Sequence, residues 1–146
     1  MLIADILREK GSQVQTTTAA TPLRDAIAVL ASMRIGVLVV SGDGRKIDGI
    51  LSERDIVRGL ANESTDFSMQ TVGDLMTRNV FTCAPDATVI SVMELMDEKR
   101  IRHVPVTVKD ELTGVVSIRD IVNARLKETD AERKELAGYI AGSPSA

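Results

Sequence analysis

The sequence predicts a small α/β (α+β) protein built twice over, and three observations carry that prediction. The phrase Gly49–Asp55, GILSERD, returns at Gly114–Asp120 as GVVSIRD. Other segments echo one another in the same order, from Ile3–Leu7 against Val72–Met76 to Asp55–Val57 against Asp120–Val122. Within each copy helical and extended patterns alternate, and two strands are parted only by a short polar turn, which is the grammar of small α/β units. A repeat on this scale sets the architecture before any single element does.

Each copy opens on a short helix, Ile3–Leu7 or Val72–Met76. Val14–Thr17 then reads as a short strand, matched by Val80–Cys83. The main helix lies in the run Thr21–Arg34, opened by Thr21 with Pro22 in its first turn, where a missing N–H costs nothing. Its counterpart, Ala87–Arg100, opens near Asp86. Ala26, Ile27, Val29, Leu30 and Met33 make an apolar stripe wider than one sheet contact needs, as do Val89, Val92, Met93, Leu95 and Met96. These helices are therefore expected to pack on their own sheet and also on the other copy or another chain.

An aliphatic strand follows, Val37–Val40 or Val104–Val108. After it comes a polar turn, Ser41-Gly42-Asp43-Gly44 or Lys109-Asp110. A second strand runs Ile47–Leu51 or Leu112–Val116, and a helix begins at the serine of the repeated phrase. The polar run Asn62–Gln70 reads as a linker, and the charged run from Lys127 reads as a solvated helical extension with a frayed end. The expected division is a first repeat over 1–62, a linker over 63–71, a second repeat over 72–126 and a tail over 127–146.

Composition removes several functions. With 146 residues, 44% of them hydrophobic, the chain can bury a core. A net charge of −3 does not suit a protein that seeks phosphate backbones. Phe67, Phe81 and Tyr139 are the only aromatic residues, too few for a base-stacking platform, so no nucleic acid partner is expected. Cys83 is the sole cysteine and His103 the sole histidine, which leaves no metal-ligand spacing and no internal disulfide. The start MLIADILREKG carries acids where a signal peptide has bases, and no apolar run reaches membrane-spanning length. A reducing cytoplasm and no membrane partner are expected.

The repeated phrase has a plain reading and a sharper one. Ser52 and Ser117 sit where strand becomes helix, and Asp55 and Asp120 follow three residues later, so helix capping alone accounts for Ser-x-x-Asp. The same place offers free N–H groups and a partial positive charge to a phosphate. A carboxylate one turn in can accept both hydroxyls of a ribose, and Arg54 and Arg119 add guanidinium forks. The phrase standing at matching places in two copies favours nucleotide binding over capping alone.

With the VPV of Val104–Val106 and the G-h-h-S-x-R-D phrases (h, aliphatic), the chain resembles a tandem pair of CBS domains, a Bateman module, over roughly Leu2 to Leu126. Its length and tail are similar to small bacterial proteins that consist of one such pair. The resemblance implies two CBS-type βαββα repeats related by a pseudo-twofold axis, here with an N-terminal helix and a C-terminal helical extension. It implies two clefts between the repeats that take adenosine compounds: AMP, ADP, ATP, NAD(H) or S-adenosylmethionine. No cofactor is required; the nucleotide or NAD is a regulatory ligand, as in energy sensing.

The family's ribose-holding aspartate maps to Asp55 and Asp120, its serine to Ser52 and Ser117, and its phosphate-facing positions to Arg102 and His103, with Arg54 and Arg119 beside them. The implied cleft walls are Gln13, Val14 and Gln15, Asn79, Val80 and Phe81, together with Ile35, Gly36, Val37, Leu51, Ile101 and Val116. A homodimer and a separate regulated protein are the implied macromolecular partners.

The copies are unequally equipped. Copy two has Arg102, His103 and Pro105 where copy one has Gly36, Val37 and Val39. Copy one places Glu53, which repels phosphate, where copy two has Ile118. The cleft using Ser117, Arg119 and Asp120 is thus expected to bind more tightly, unless the clefts are composite and Arg102 serves the other one. Two rivals stand beside the regulatory reading. An interaction scaffold would keep the fold with its clefts unused. An enzyme could be assembled by residue type from Cys83, His103 and Asp120, but a buried, structural thiol is the better account of Cys83. No catalysis is expected.

Overall fold

The computed structural model describes residues 1–62 and 66–140. The first copy runs α1 (Ile3–Lys10), β1 (Thr16–Thr17), α2 (Leu23–Met33), β2 (Val37–Val40), β3 (Gly49–Ser52) and α3 (Glu53–Ala61). A 3₁₀ turn, Phe67–Met69, joins it to the second: α4 (Val72–Leu75), α5 (Val89–Lys99), β4 (His103–Val108), β5 (Glu111–Ser117) and α6 (Ile118–Ile140). β1 pairs parallel with β2, and β2 antiparallel with β3. β4 and β5 pair antiparallel, with a bulge between Val106 and Thr107.

Local chemistry sets most element ends. Arg34 and Arg100 both stop their helices in the left-handed conformation, at φ 54°. Lys109 and Asp110 both have positive φ, which gives the β4–β5 hairpin the twist its strands need. In the longer β2–β3 loop Gly44 takes φ 78°, and Asp43 Oδ1 accepts the N–H groups of Arg45 and Lys46 at 2.8 Å each.

Several expected boundaries move. Pro22 stands just before α2 rather than in its first turn, and α5 is capped by Thr88, whose hydroxyl accepts Ser91 N–H at 3.1 Å, not by Asp86. The strands expected over 47–51 and 112–116 span Gly49–Ser52 and Glu111–Ser117. The strand expected at Val14–Thr17 shrinks to Thr16–Thr17, and the one expected at Val80–Cys83 to a single bridge from Cys83 to Val106. Copy two loses more of it for a chemical reason. Val39 N–H donates to Gln15 O at 3.2 Å, but Pro105 holds the equivalent place and has no N–H to give.

The linker is not a free tether. Residues 63–65 of it lie outside the described residues. Beyond them, Asp66 caps the 3₁₀ turn, Phe67 packs against the first core, and Gln70 O accepts Leu23 N–H at 2.9 Å. The expected tail is no separate element either: α6 runs unbroken to Ile140, and the frayed end expected beyond it falls on residues 141–146, outside the described residues.

The two hydrophobic cores do not follow the repeats. Ile3 and Ile6 of α1 are buried with Val89, Val92, Met96, Val104, Val106, Val116, Ile121 and Ala124 of copy two. Val72 of copy two's opening helix and Met76 just after it are buried with Leu23, Ala26, Leu30, Leu38, Val40 and Leu51 of copy one. Each opening helix crosses to the other repeat, and matched hydrogen bonds hold both crossings. Ile3 N–H donates to Ala87 O and Val72 N–H to Thr21 O, both at 2.9 Å; Ala4 N–H donates to Pro85 O at 2.8 Å and Gly73 N–H to Ala19 O at 2.9 Å. A pseudo-twofold relation between the copies follows from this reciprocity.

A composite cleft between the repeats

Both serines sit at the last strand position before a helix, and both phrases form the expected cap. Ser52 N–H donates to Asp55 Oδ2 at 2.9 Å while Asp55 N–H donates to Ser52 Oγ at 3.2 Å. Ser117 and Asp120 repeat this at 2.8 and 3.2 Å. Capping is therefore real in both copies, and what separates them lies around the caps.

Asp55 lines a cleft of about 320 Å³ between the repeats, within the range of small-ligand sites. Copy one supplies Gly36, Ile50, Ser52, Glu53, Arg54, Asp55 and Arg58. Copy two supplies Thr77, Asn79, Val80, Phe81, Lys99, Arg100, Ile101, Arg102 and His103. The cleft thus joins one copy's Ser52 and Asp55 to the other copy's Arg102 and His103, the composite arrangement. Five basic side chains, Arg54, Arg58, Lys99, Arg100 and Arg102, face two carboxylates, Glu53 and Asp55. Focused positive charge of this kind attracts anions.

Asp55 is the buried anchor, 7% exposed. Its Oδ2 also accepts Ser52 Oγ–H at 3.0 Å, its Oδ1 accepts Thr77 Oγ1–H at 2.9 Å, and Arg58 Nη1 stands 3.9 Å away. Arg54 is partly committed elsewhere: its Nη1 donates to Arg100 O at 2.8 Å, placing a cation at the C-terminal end of α5. Lys99 Nζ lies 5.1 Å from the centre of the Phe81 ring. Gly36 leaves room for His103, because a Cβ there would stand 3.2 Å from His103 Cε1.

His103 lies between the two phrases. Burial pushes its imidazole below the ordinary histidine value, opposed by the carboxylates of Asp120 and Glu53 and reinforced by Lys10 and Arg102. The ring is neutral near pH 7 and can gain a proton when an anion arrives.

Asp120 stands in different company. Lys10 Nζ donates to it at 2.7 Å and to Val115 O at 2.9 Å. Burial pushes the Asp120 carboxyl up, but the Lys10 hydrogen bond and the Ser117 N–H outweigh burial and hold it below the usual carboxylate value. The Arg119 side chain makes no hydrogen bond or ion pair among the described residues. Of the expected walls, Gly36, Asn79, Val80, Phe81 and Ile101 line the cleft. Leu51 and Val116 are fully buried members of the two cores, and Gln13, Val14, Gln15, Ile35 and Val37 stand outside the cleft lining.

Ile50, Arg58, Thr77, Lys99 and Arg100 line the cleft without having been expected there. Arg58 carried a usable signal, since it follows Asp55 by three residues on a helix and must share its face. Thr77 carried none, because its approach to Asp55 depends on α4 crossing to copy one. Cys83, the nucleophile of the enzymatic rival, has its thiol pushed up to about 11 by burial, so it stays protonated at neutral pH. Among the described residues no cluster of His, Cys, Asp and Glu could hold a metal ion, and no helix is long and apolar enough to cross a membrane.

The family model for the CBS domain matches residues 3–62 and 72–127. The chain belongs to the CBS-domain family. It is a tandem CBS pair, and its relatives agree. The mitochondrial CBS domain-containing protein CBSX3 of Arabidopsis thaliana is 32% identical over 148 residues, covering 96% of this chain and 72% of that protein. The crystal structure of a CBS-domain protein from Agrobacterium tumefaciens superposes with a TM-score of 0.81 at 36% identity, over 86% of this chain and 99% of that one. A CBS domain pair solved with 5′-methylthioadenosine and S-adenosyl-L-methionine superposes with a TM-score of 0.75 at 28% identity, over 85% of this chain and 98% of that one. CBS pairs are generally regulatory, non-catalytic modules.

Proposed function

We propose that this CBS pair is a regulatory module that binds an adenosine compound bearing phosphate, such as AMP, ADP, ATP or NAD(H), in the Asp55 cleft. One observation carries the reading: Ser52 and Asp55 from one repeat face Arg102, His103 and Asn79–Phe81 from the other across a single cleft. Asp55 accepts the ribose hydroxyls, exchanging the Ser52 and Thr77 hydroxyl bonds for those of the sugar. Arg102, His103 and Arg58 receive phosphate. A related pair was solved with 5′-methylthioadenosine and S-adenosyl-L-methionine, which supports adenosine as the common part. The excess of basic side chains favours a phosphorylated ligand over the sulfonium, whose charge would meet like charge.

The sequence had favoured the Asp120 cleft. This reading moves the tighter site to Asp55, because Arg102 and His103 line that cleft and Lys10 holds Asp120. Binding changes the regulated state only if the two arrangements of the repeats take the ligand unequally. Exposed Val57 and Leu60 on α3 and Val122 and Leu126 on α6 support assembly as a homodimer. One observation favours the scaffold reading instead: Asp55 already has hydroxyl partners from its own fold.

A thermal-shift series on nucleotide-stripped protein separates the two. AMP, ADP, ATP and NAD should raise Tm with the logarithm of ligand concentration, and S-adenosylmethionine less. A flat Tm with every adenosine compound establishes the scaffold.

A further inference from the structure

Thr77 and Lys10 do the same job at the two corresponding carboxylates, from non-equivalent positions of the repeat and with different chemistry. Thr77 donates its N–H to Ile50 O at 2.8 Å and its hydroxyl to Asp55 Oδ1 at 2.9 Å. In the other copy Val115 is the counterpart of Ile50, and Asp120 of Asp55. There a single ammonium makes both bonds, Lys10 Nζ to Val115 O at 2.9 Å and to Asp120 Oδ2 at 2.7 Å. Two neutral donors have been replaced by one positive charge.

The substitution changes what each carboxylate can accept. A sugar hydroxyl can exchange with the Thr77 and Ser52 hydroxyls, since like replaces like. At Asp120 it would have to displace an ammonium from a partly buried ion pair, with side chains 38% and 20% exposed for Lys10 and Asp120, and leave both charges less well paired. The depressed carboxyl of Asp120 agrees that the pair is held in its charged form. Lys10 is also well placed to stay. It ends α1, where the helix dipole favours a cation, and its neighbour Glu9 is ion-paired to Lys127 on α6. The Arg102 and His103 positions have Gly36 and Val37 as counterparts on this side, so phosphate has little to offset the loss.

We propose that Lys10 is a built-in occupant of the ribose position at Asp120, so that each chain takes one adenosine ligand, at Asp55, although the binding phrase is written twice. This rests on the adenosine reading above. Removing the ammonium should uncover a second site that favours AMP over adenosine less than the Asp55 site does, because Gly36 and Val37 stand where that site has Arg102 and His103 and Arg119 of the phrase is left to meet phosphate.

The test is isothermal titration of nucleotide-stripped wild type, Lys10→Met and Lys10→Gln with AMP and with adenosine. Methionine keeps the stem, and glutamine keeps a donor without the charge; a melting curve checks that each is folded. Wild type should take about one ligand per chain, and the variants about two adenosines; adenosine, which brings no phosphate to His103, reads the count cleanly, because Lys10 and Asp120 both act on that ring. Adding Asp55→Ala to Lys10→Met should leave only the uncovered site. The proposal is overturned if wild type already takes two adenosines, or if a folded Lys10 variant still takes one. No binding of any adenosine compound by wild type or variant overturns the adenosine reading itself, and this proposal with it.

Discussion

Around Asp55 the fold places hydroxyls, from Ser52 and Thr77, and opens a cleft walled by the other repeat's basic side chains. Around Asp120 it places the Lys10 ammonium. The two phrases are nearly the same and both make the same cap. The comparison teaches that a duplicated phrase fixes the same cap in both copies, while the third party to each carboxylate sets its surroundings apart; on the proposed reading that difference decides which one holds a ligand. That third party comes from the crossed opening helix in each case: Lys10 from the end of α1, and Thr77 from just beyond α4.

The largest effect should come from uncrossing those helices. Ile3 is fully buried in the copy-two core. Ile3→Ala removes most of a buried side chain there and should cost about 2–5 kcal/mol, measured by urea melts. Were α1 merely appended to the surface, the loss would be below about 0.5 kcal/mol, as for surface substitutions.

Binding should separate the two carboxylates next. Asp55→Ala deletes the proposed acceptor for both ribose hydroxyls and should weaken AMP by roughly tenfold to a hundredfold, at about 1.5–3 kcal/mol for hydrogen bonds to a charged group. Asp120→Ala should weaken it far less. Equal losses in titration calorimetry would erase the contrast between the clefts.

The glycines that open the two phrases sharpen the comparison in packing. A Cβ on Gly49 would lie 2.8 Å from Thr77 O, a backbone atom in a bridge, whereas one on Gly114 would meet Leu7 Cδ2 at 2.8 Å. Backbone cannot yield as a leucine side chain can. Gly49→Ala should therefore cost about 1–3 kcal/mol as overpacking, and Gly114→Ala less, read from their melts.

The smallest effect concerns pH. Burial holds His103 below its ordinary value in the folded protein, so the unfolded chain takes up the proton first as pH falls. The stability tied to neutral His103 is fully present above the unfolded value of 6.5 and declines as pH drops from there through the folded value. His103→Gln should flatten that stretch of the melting profile. Phosphate next to the ring stabilises its protonated form, so AMP should bind more tightly as pH falls through the same range.

The duplication, the order of elements, the Ser-x-x-Asp caps and the Lys109-Asp110 turn were legible from residues alone. Their energies are local, spent within three or four positions of one another, so composition and spacing suffice to read them. The shortened first strand of copy two could have been read from Pro105 as well, given the partner strand, because a missing N–H is a local fact. Which carboxylate faces Arg102, and which meets Lys10, was not legible. Those contacts join residues far apart in the chain and exist because Ile3 and Val72 are each buried in the opposite repeat's core. Burial of apolar surface has no direction and no sequence range, so two similar halves could have kept their own opening helices. The tertiary structure exchanged them, and that exchange brought a hydroxyl to one aspartate and an ammonium to the other.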